Sequence, residues 1–151
     1  MKLISACLLG VNCRYNGKNN EKPSILKSIG EDSFIPICPE QLGGLTTPRP
    51  PAEIQGGDGE DVLEGKARII NKNGEDVTEA FVRGAKETLK IAKCLEVSEA
   101  ILKARSPSCG VGEIYDGTFS NVFRKGCGVT TAILKKNGIM IYSDEEYPIT
   151  S

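Results

Sequence analysis

An α/β fold, built as an open and mainly parallel sheet with helices on both faces, is the architecture this sequence predicts. Short apolar runs alternate along the chain with stretches of helical period. The first run, Leu3 to Cys7, is short and apolar and is ended by Gly10, as a strand covered on both faces would be. Val77, Ala80, Phe81, Gly84, Ala85, Thr88, Leu89 and Ala92 recur at three- and four-residue intervals, marking one buried helical stripe. Strands and helices in alternation imply right-handed crossovers. With 151 residues, 39% hydrophobic and 26% charged, residues 1–151 are expected to form a single domain around one core.

The elements follow in order. Leu3 to Cys7 forms the first buried strand and ends before Gly10, which opens a polar loop through Asn20. After Pro23, the apolar spacing of Ser24 to Ile29 is that of a short helix stopping at Gly30. Phe34 to Cys38 is a second strand, and Pro36 within it requires an edge or strand-end position. Pro39 to Gly65 is crowded with Pro and Gly and has no helical period, so it is expected to be a long irregular excursion. Such excursions in compact domains are usually functional, which makes this one a candidate active-site wall. Lys66 to Asn71 reads as a strand, Asn73-Gly74 as a turn, and Asp76 with Glu79 as a capping pair for a helix from Val77 to Lys93. Ala100 to Lys103 is a strand, Gly126 to Lys136 a helix closed by Asn137-Gly138, and Ile139 to Tyr142 the last strand.

Composition excludes several chemistries. The chain has no His, so no imidazole can act as base or metal ligand. Nineteen Lys plus Arg against twenty Asp plus Glu leave a net charge of -1, so neither a long nucleic acid nor an anionic membrane is the expected partner. Gly56-Gly57-Asp58-Gly59 is not a phosphate loop, because no Gly-Lys-Ser/Thr follows it. Met1 to Leu9 is too short to span a bilayer and a poor signal peptide, and six Cys then suggest a reducing compartment, so a cytoplasmic location is expected.

The cysteines carry the functional signal. Parallel sheets bind ligands at the carboxyl ends of their strands. Cys7 ends the first strand, Cys38 the second, and Cys109 lies a few residues past the strand finishing near Lys103, so three thiols are expected to converge on one sheet edge. Cys13 follows Cys7 by six positions and rivals it as first ligand. Cys94, among apolar neighbours, reads as structural. Cys127, at the expected helix start, sits where a helix dipole lowers a thiol pKa, yet its spacing matches no metal motif. Without His, zinc needs a fourth thiolate or a carboxylate, whereas a cluster held by three thiolates leaves one iron free for substrate. The residues alone leave two readings open: an open iron–sulfur cluster, and a non-catalytic zinc or thiol redox-sensing module.

At these residues the sequence resembles a known family. The matching segments are Ser5-Ala6-Cys7-Leu8-Leu9-Gly10, Cys13-Arg14-Tyr15-Asn16-Gly17, Cys38-Pro39-Glu40, Gly43-Gly44-Leu45 and Pro48-Arg49-Pro50. Asp76-Val77-Thr78, Ile101-Leu102-Lys103, Ser106-Pro107-Ser108-Cys109-Gly110 and Tyr115-Asp116-Gly117-Thr118-Phe119 follow in the same order. Together they are similar to the thiouracil desulfidase family. The resemblance implies a Rossmann-like domain carrying a 4Fe-4S cluster on Cys7, Cys38 and Cys109, with a small thiolated pyrimidine as partner. The Cys of Cys-Arg-Tyr is not a fixed family feature, which favours Cys7 over Cys13. Glu40 would serve as catalytic acid/base and Ser106 would lie beside the substrate, with Ser108, Tyr15 and Arg49 as substrate-binding candidates. Ser106 and Ser108 also fit a purely turn-bracing role, and Arg49 and Lys103 fit salt bridges. The implied reaction turns C=S into C=O with release of hydrosulfide and no net redox change. Asn16, where Asp is expected, and Cys127, where Asp is common, depart from the pattern without touching a proposed ligand.

Overall fold

The computed structural model describes residues 1–29 and 33–147, so the expected helix stop at Gly30 lies outside the described residues. The chain runs β1 (Lys2–Ser5), a 3-10 turn (Ala6–Leu9), α1 (Pro23–Ile29), β2 (Phe34–Ile37), α2 (Pro39–Leu42), β3 (Ala52–Gln55), α3 (Gly59–Leu63), β4 (Arg68–Asn71), α4 (Thr78–Cys94), β5 (Glu99–Leu102), β6 (Glu113–Tyr115), β7 (Phe123–Lys125), α5 (Val129–Lys136) and β8 (Met140–Ser143).

Four of the strands form one parallel sheet in the order β2-β1-β5-β8. Leu3, Ile4, Ala100, Ile101 and Leu102 are fully buried because both faces of this sheet are covered. Alternate side chains go to opposite cores. Leu3, Ala100 and Leu102 pack with Ala92 of α4 and Leu134 of α5, whereas Ile4 and Ile101 pack with Leu8 and with Ile25 of α1. Pro36 sits in β2, an edge strand of this sheet, as a residue without a backbone N–H requires. The first and second strands end at Ser5 and Ile37, so Cys7 and Cys38 lie just beyond them rather than inside.

Three expectations need correction. The segment from Pro39 to Gly65 is not irregular: it contains α2, β3 and α3, elements of four or five residues that are too short to display a period. The strand expected at Lys66 to Asn71 is β4, but it pairs antiparallel with β3 in a separate two-stranded sheet, and β6 with β7 forms another. The Asp76 and Glu79 pair does not form a capping box. Val77 is the N-cap without a side-chain bond, Asp76 accepts the Thr78 N–H at 2.9 Å, and Glu79 pairs with Arg83.

The short elements are held against α4 and α5 by glycines that permit backbone contact. A Cβ on Gly84 of α4 would lie 1.8 Å from the Pro39 carbonyl oxygen, so α2 can reach its place only because that Cβ is missing. At the start of α5, a Cβ on Gly128 would lie 2.4 Å from the Ser108 carbonyl oxygen, which instead accepts the Thr130 N–H at 2.9 Å. These two contacts place the Cys38-Pro39-Glu40 and Ser108-Cys109 turns.

Candidate active site

Beyond the carboxyl ends of β1, β2 and β5 lies a cavity of about 430 Å³, a size suited to a small molecule. The chain crosses from β2 over β1 to β5, so the cavity occupies the topological switch point of the sheet. Cys7, Cys38 and Cys109 all line it, and so does Cys13. Sheet topology thus brings together thiols that are far apart in sequence, and it brings the rival first ligand with them. Cys13 is only 2% exposed, although it stands in a polar loop.

The thiols differ in what surrounds them. Cys38 Sγ faces the Cys13 carbonyl oxygen at 3.7 Å and Asn20 Nδ2 donates to Cys7 Sγ at 3.5 Å. Hydrogen bonding from the Cys13 thiol, aided by the Gln41 N–H, lowers Cys38 to about 7. The same thiol and the Asn20 amide draw Cys7 below the ordinary thiol range against the effect of burial. Cys13, which keeps its proton for these two neighbours, is raised. Burial pushes Cys109 up to about 12, opposed by the hydroxyls of Ser5 and Ser108. All are soft sulfur donors. Among the described residues, no group of three or more His, Cys, Asp or Glu is arranged to hold a single metal ion.

Glu40 enters the cavity from the first turn of α2, two residues after Cys38. One carboxylate oxygen accepts from Arg49 Nε at 3.0 Å and the other from Ser108 Oγ at 2.9 Å. Ser106 Oγ accepts the Cys109 N–H at 2.7 Å and lies 3.3 Å from Ser108 Oγ, so Ser106, Ser108 and Glu40 form one hydrogen-bonded chain. Ser106 therefore braces the turn, as its Ser-Pro context suggests, and both serines also line the cavity. Ser108 is 1% exposed and its hydroxyl is turned to Glu40 and to Cys109 Sγ.

Arg49 forms an ion pair, but not a surface one: its side chain is 6% exposed and that of Glu40 16%. Its guanidinium also bonds the Cys13 and Thr46 carbonyl oxygens and Thr47 Oγ1, so its fork is committed to the protein. Tyr15 lines the cavity, is exposed, and has the Arg14 guanidinium over its ring at 5.6 Å. Lys103 lines it too and pairs with buried Asp144 at 3.7 Å. Tyr115, the first residue of the matching Tyr115-to-Phe119 segment, packs its ring on Phe123 at 5.1 Å.

Two thiols behave differently from expectation. Cys94 is exposed rather than buried, since it stands on the solvent side of the last turn of α4. Cys127 precedes the N-cap of α5 instead of lying in its first turn, and burial with the Asp58 charge raises it to about 11. Sequence reasoning missed Asn20, Phe119 and Asn121 as cavity residues. Phe119 had a signal in the Tyr-Asp-Gly-Thr-Phe segment, whereas Asn20 had none.

The profile of a family described as 2-thiouracil desulfurase matches residues 3–146. The uncharacterized protein YbbK of Bacillus subtilis (strain 168) is 51% identical over 146 residues, which cover 97% of each chain. A solved structure described as the [4Fe-4S]-dependent thiouracil desulfidase TudS (DUF523Vcz) is 41% identical, with a TM-score of 0.86 over 97% of this chain and 91% of the other.

Proposed function

The chain belongs to the 2-thiouracil desulfurase family, and from that premise we propose that it is an iron–sulfur-dependent desulfidase acting on a small thiolated pyrimidine. The observation that carries this reading is a single cavity lined both by the thiol set and by the Arg49-fixed carboxylate of Glu40.

The donor set fits a 4Fe-4S cluster. It is all sulfur, it lines one cavity, and two of its thiols are drawn toward thiolate. Cys7, Cys38 and Cys109 would hold the cluster, one following each of the three strands that end at the cavity. When bound, such a cluster supplies an iron Lewis acid suited to a soft thiocarbonyl sulfur.

The remaining work falls to the chain's own residues. Glu40 takes a proton from the water that attacks the thiocarbonyl carbon. Arg49 keeps the Glu40 carboxylate from rotating away by fixing one oxygen, and Ser108 fixes the other. The Ser106 hydroxyl, whose lone pair already accepts the Cys109 N–H, is free to donate toward Ser108 or into the cavity. A proton can therefore pass along Ser106, Ser108 and Glu40 Oε2. Overall, C=S and water become C=O and hydrogen sulfide, with no electron transfer. Tyr15 offers an aromatic face at the mouth. The six cysteines are free thiols, which suits a reducing cytoplasm.

The test is turnover under nitrogen of 2- and 4-thiouracil and their nucleosides by the cluster-loaded protein. Stoichiometric sulfide and the matching oxo-pyrimidine are expected. A loaded protein that releases no sulfide from any of the four would overturn the assignment.

A further inference from the structure

Above the cavity, the loop joining β6 to β7 is fastened from outside itself. Glu53 of β3 is a cavity residue only 8% exposed. Its Oε1 accepts two backbone donors of that loop, the Gly117 N–H at 3.0 Å and the Phe119 N–H at 3.1 Å. Gln55, two residues along the same strand, donates from Nε2 to the Gly117 carbonyl at 3.0 Å. Gly117 has φ 94°, and a Cβ there would lie 2.6 Å from the Ile54 carbonyl oxygen, so the loop is pressed onto β3. Phe119 at φ 56° and Asn121 at φ 60° hold left-handed backbone, which a bulky residue such as Phe adopts only when its surroundings impose it. A buried carboxylate is costly unless well bonded, and this one spends two of its bonds on the loop that carries Phe119 into the thiol-lined cavity.

We propose that Glu53 is a positioning residue: by binding the Gly117 and Phe119 amides it fixes Phe119 as the wall on which the flat face of the substrate pyrimidine packs. This rests on the desulfidase reading for the identity of the substrate. Glu53 acts through Phe119 and needs no proton exchange with the substrate, so an uncharged acceptor of the same shape replaces it.

Steady-state kinetics of the cluster-loaded protein, with iron content and amide exchange measured on the same samples, tests this. Glu53→Ala raises KM for 2-thiouracil about tenfold, because the loop loses both hydrogen bonds to Glu53 Oε1, with kcat within about threefold. Exchange at Gly117 and Phe119 accelerates while iron content stays level. Glu53→Gln, which keeps the acceptor oxygen, stays near the parent protein in both measurements. Phe119→Ala raises KM alike, and adding Glu53→Ala to it costs little more. Flat KM in Glu53→Ala or in Phe119→Ala, Glu53→Gln failing as badly as Glu53→Ala, or full additivity would each overturn the proposal. Should Glu53→Ala not fold, Glu53→Gln and Phe119→Ala still decide it. Failure of the parent protein to turn over substrate strikes the desulfidase reading instead, and leaves amide exchange to judge whether Glu53 fastens the loop.

Discussion

Arg49→Ala is the substitution whose cost the site geometry defines best. Nε meets Glu40 Oε1 at 3.0 Å, Nη2 the Cys13 carbonyl at 2.8 Å, and Nη1 the Thr46 carbonyl at 3.2 Å and Thr47 Oγ1 at 2.9 Å. Removing one member of a shielded ion pair costs ~3–5 kcal/mol, because the charge left behind is buried without its partner. Glu40 retains the Ser108 hydroxyl and 16% side-chain exposure, so water and that bond recover part of the loss. The lower end, about 3 kcal/mol, is expected. Arg49→Lys keeps the charge but replaces a fork that reaches several acceptors by a single ammonium, and about half of that loss follows. Guanidinium denaturation under nitrogen reads both variants, provided the m-value is unchanged. Because Glu40 is no longer held, kcat should drop by about 100-fold in Arg49→Ala. A midpoint corresponding to less than about 0.5 kcal/mol of change would show that Arg49 does not anchor Glu40.

Two further substitutions probe how the scaffold places the site. Gly84→Ala sets a methyl group against the Pro39 carbonyl, where it would lie at 1.8 Å, so α2 must move. Calorimetry should show a loss of about 3 kcal/mol, and kcat should fall because α2 carries Glu40; an unchanged melting profile would contradict the close packing. Cys94→Ser, at an exposed position that does not line the cavity, should leave iron content and stability unchanged to within about 0.5 kcal/mol. A drop in iron content in that variant would mean that the thiol set has been drawn wrongly.

What the sequence discloses depends on how long each element is and how much of it is buried. The buried stripe Phe81, Gly84, Ala85, Thr88 and Ala92 spans most of α4, so its period is visible without a structure. That stripe also contains the clue to Cys94, which falls about 200° around the helix from Ala92 and hence faces solvent. Phe123 to Lys125 is exposed throughout, so β7 has no apolar pattern to betray it. Within β3, four residues cannot distinguish a strand from a turn, and nothing in the sequence marks Glu53. The convergence of Cys7, Cys38 and Cys109 is legible because strand order needs only the ends of strands, not their details. Cys13, offered by its spacing as a rival to Cys7, lines the same cavity, and spacing alone does not choose between the two. The Ser108-to-Glu40 bond joins residues 68 positions apart and depends on Gly128 admitting the turn, a tertiary fact.

Iron and acid-labile sulfide per chain, measured after anaerobic reconstitution, tests the central claim most directly. About four of each are expected in the parent protein and in Cys13→Ser, and a clear loss of both in Cys7→Ser, Cys38→Ser and Cys109→Ser. Full loading in any of those three, or one zinc per chain with no sulfide in the parent protein, would contradict it.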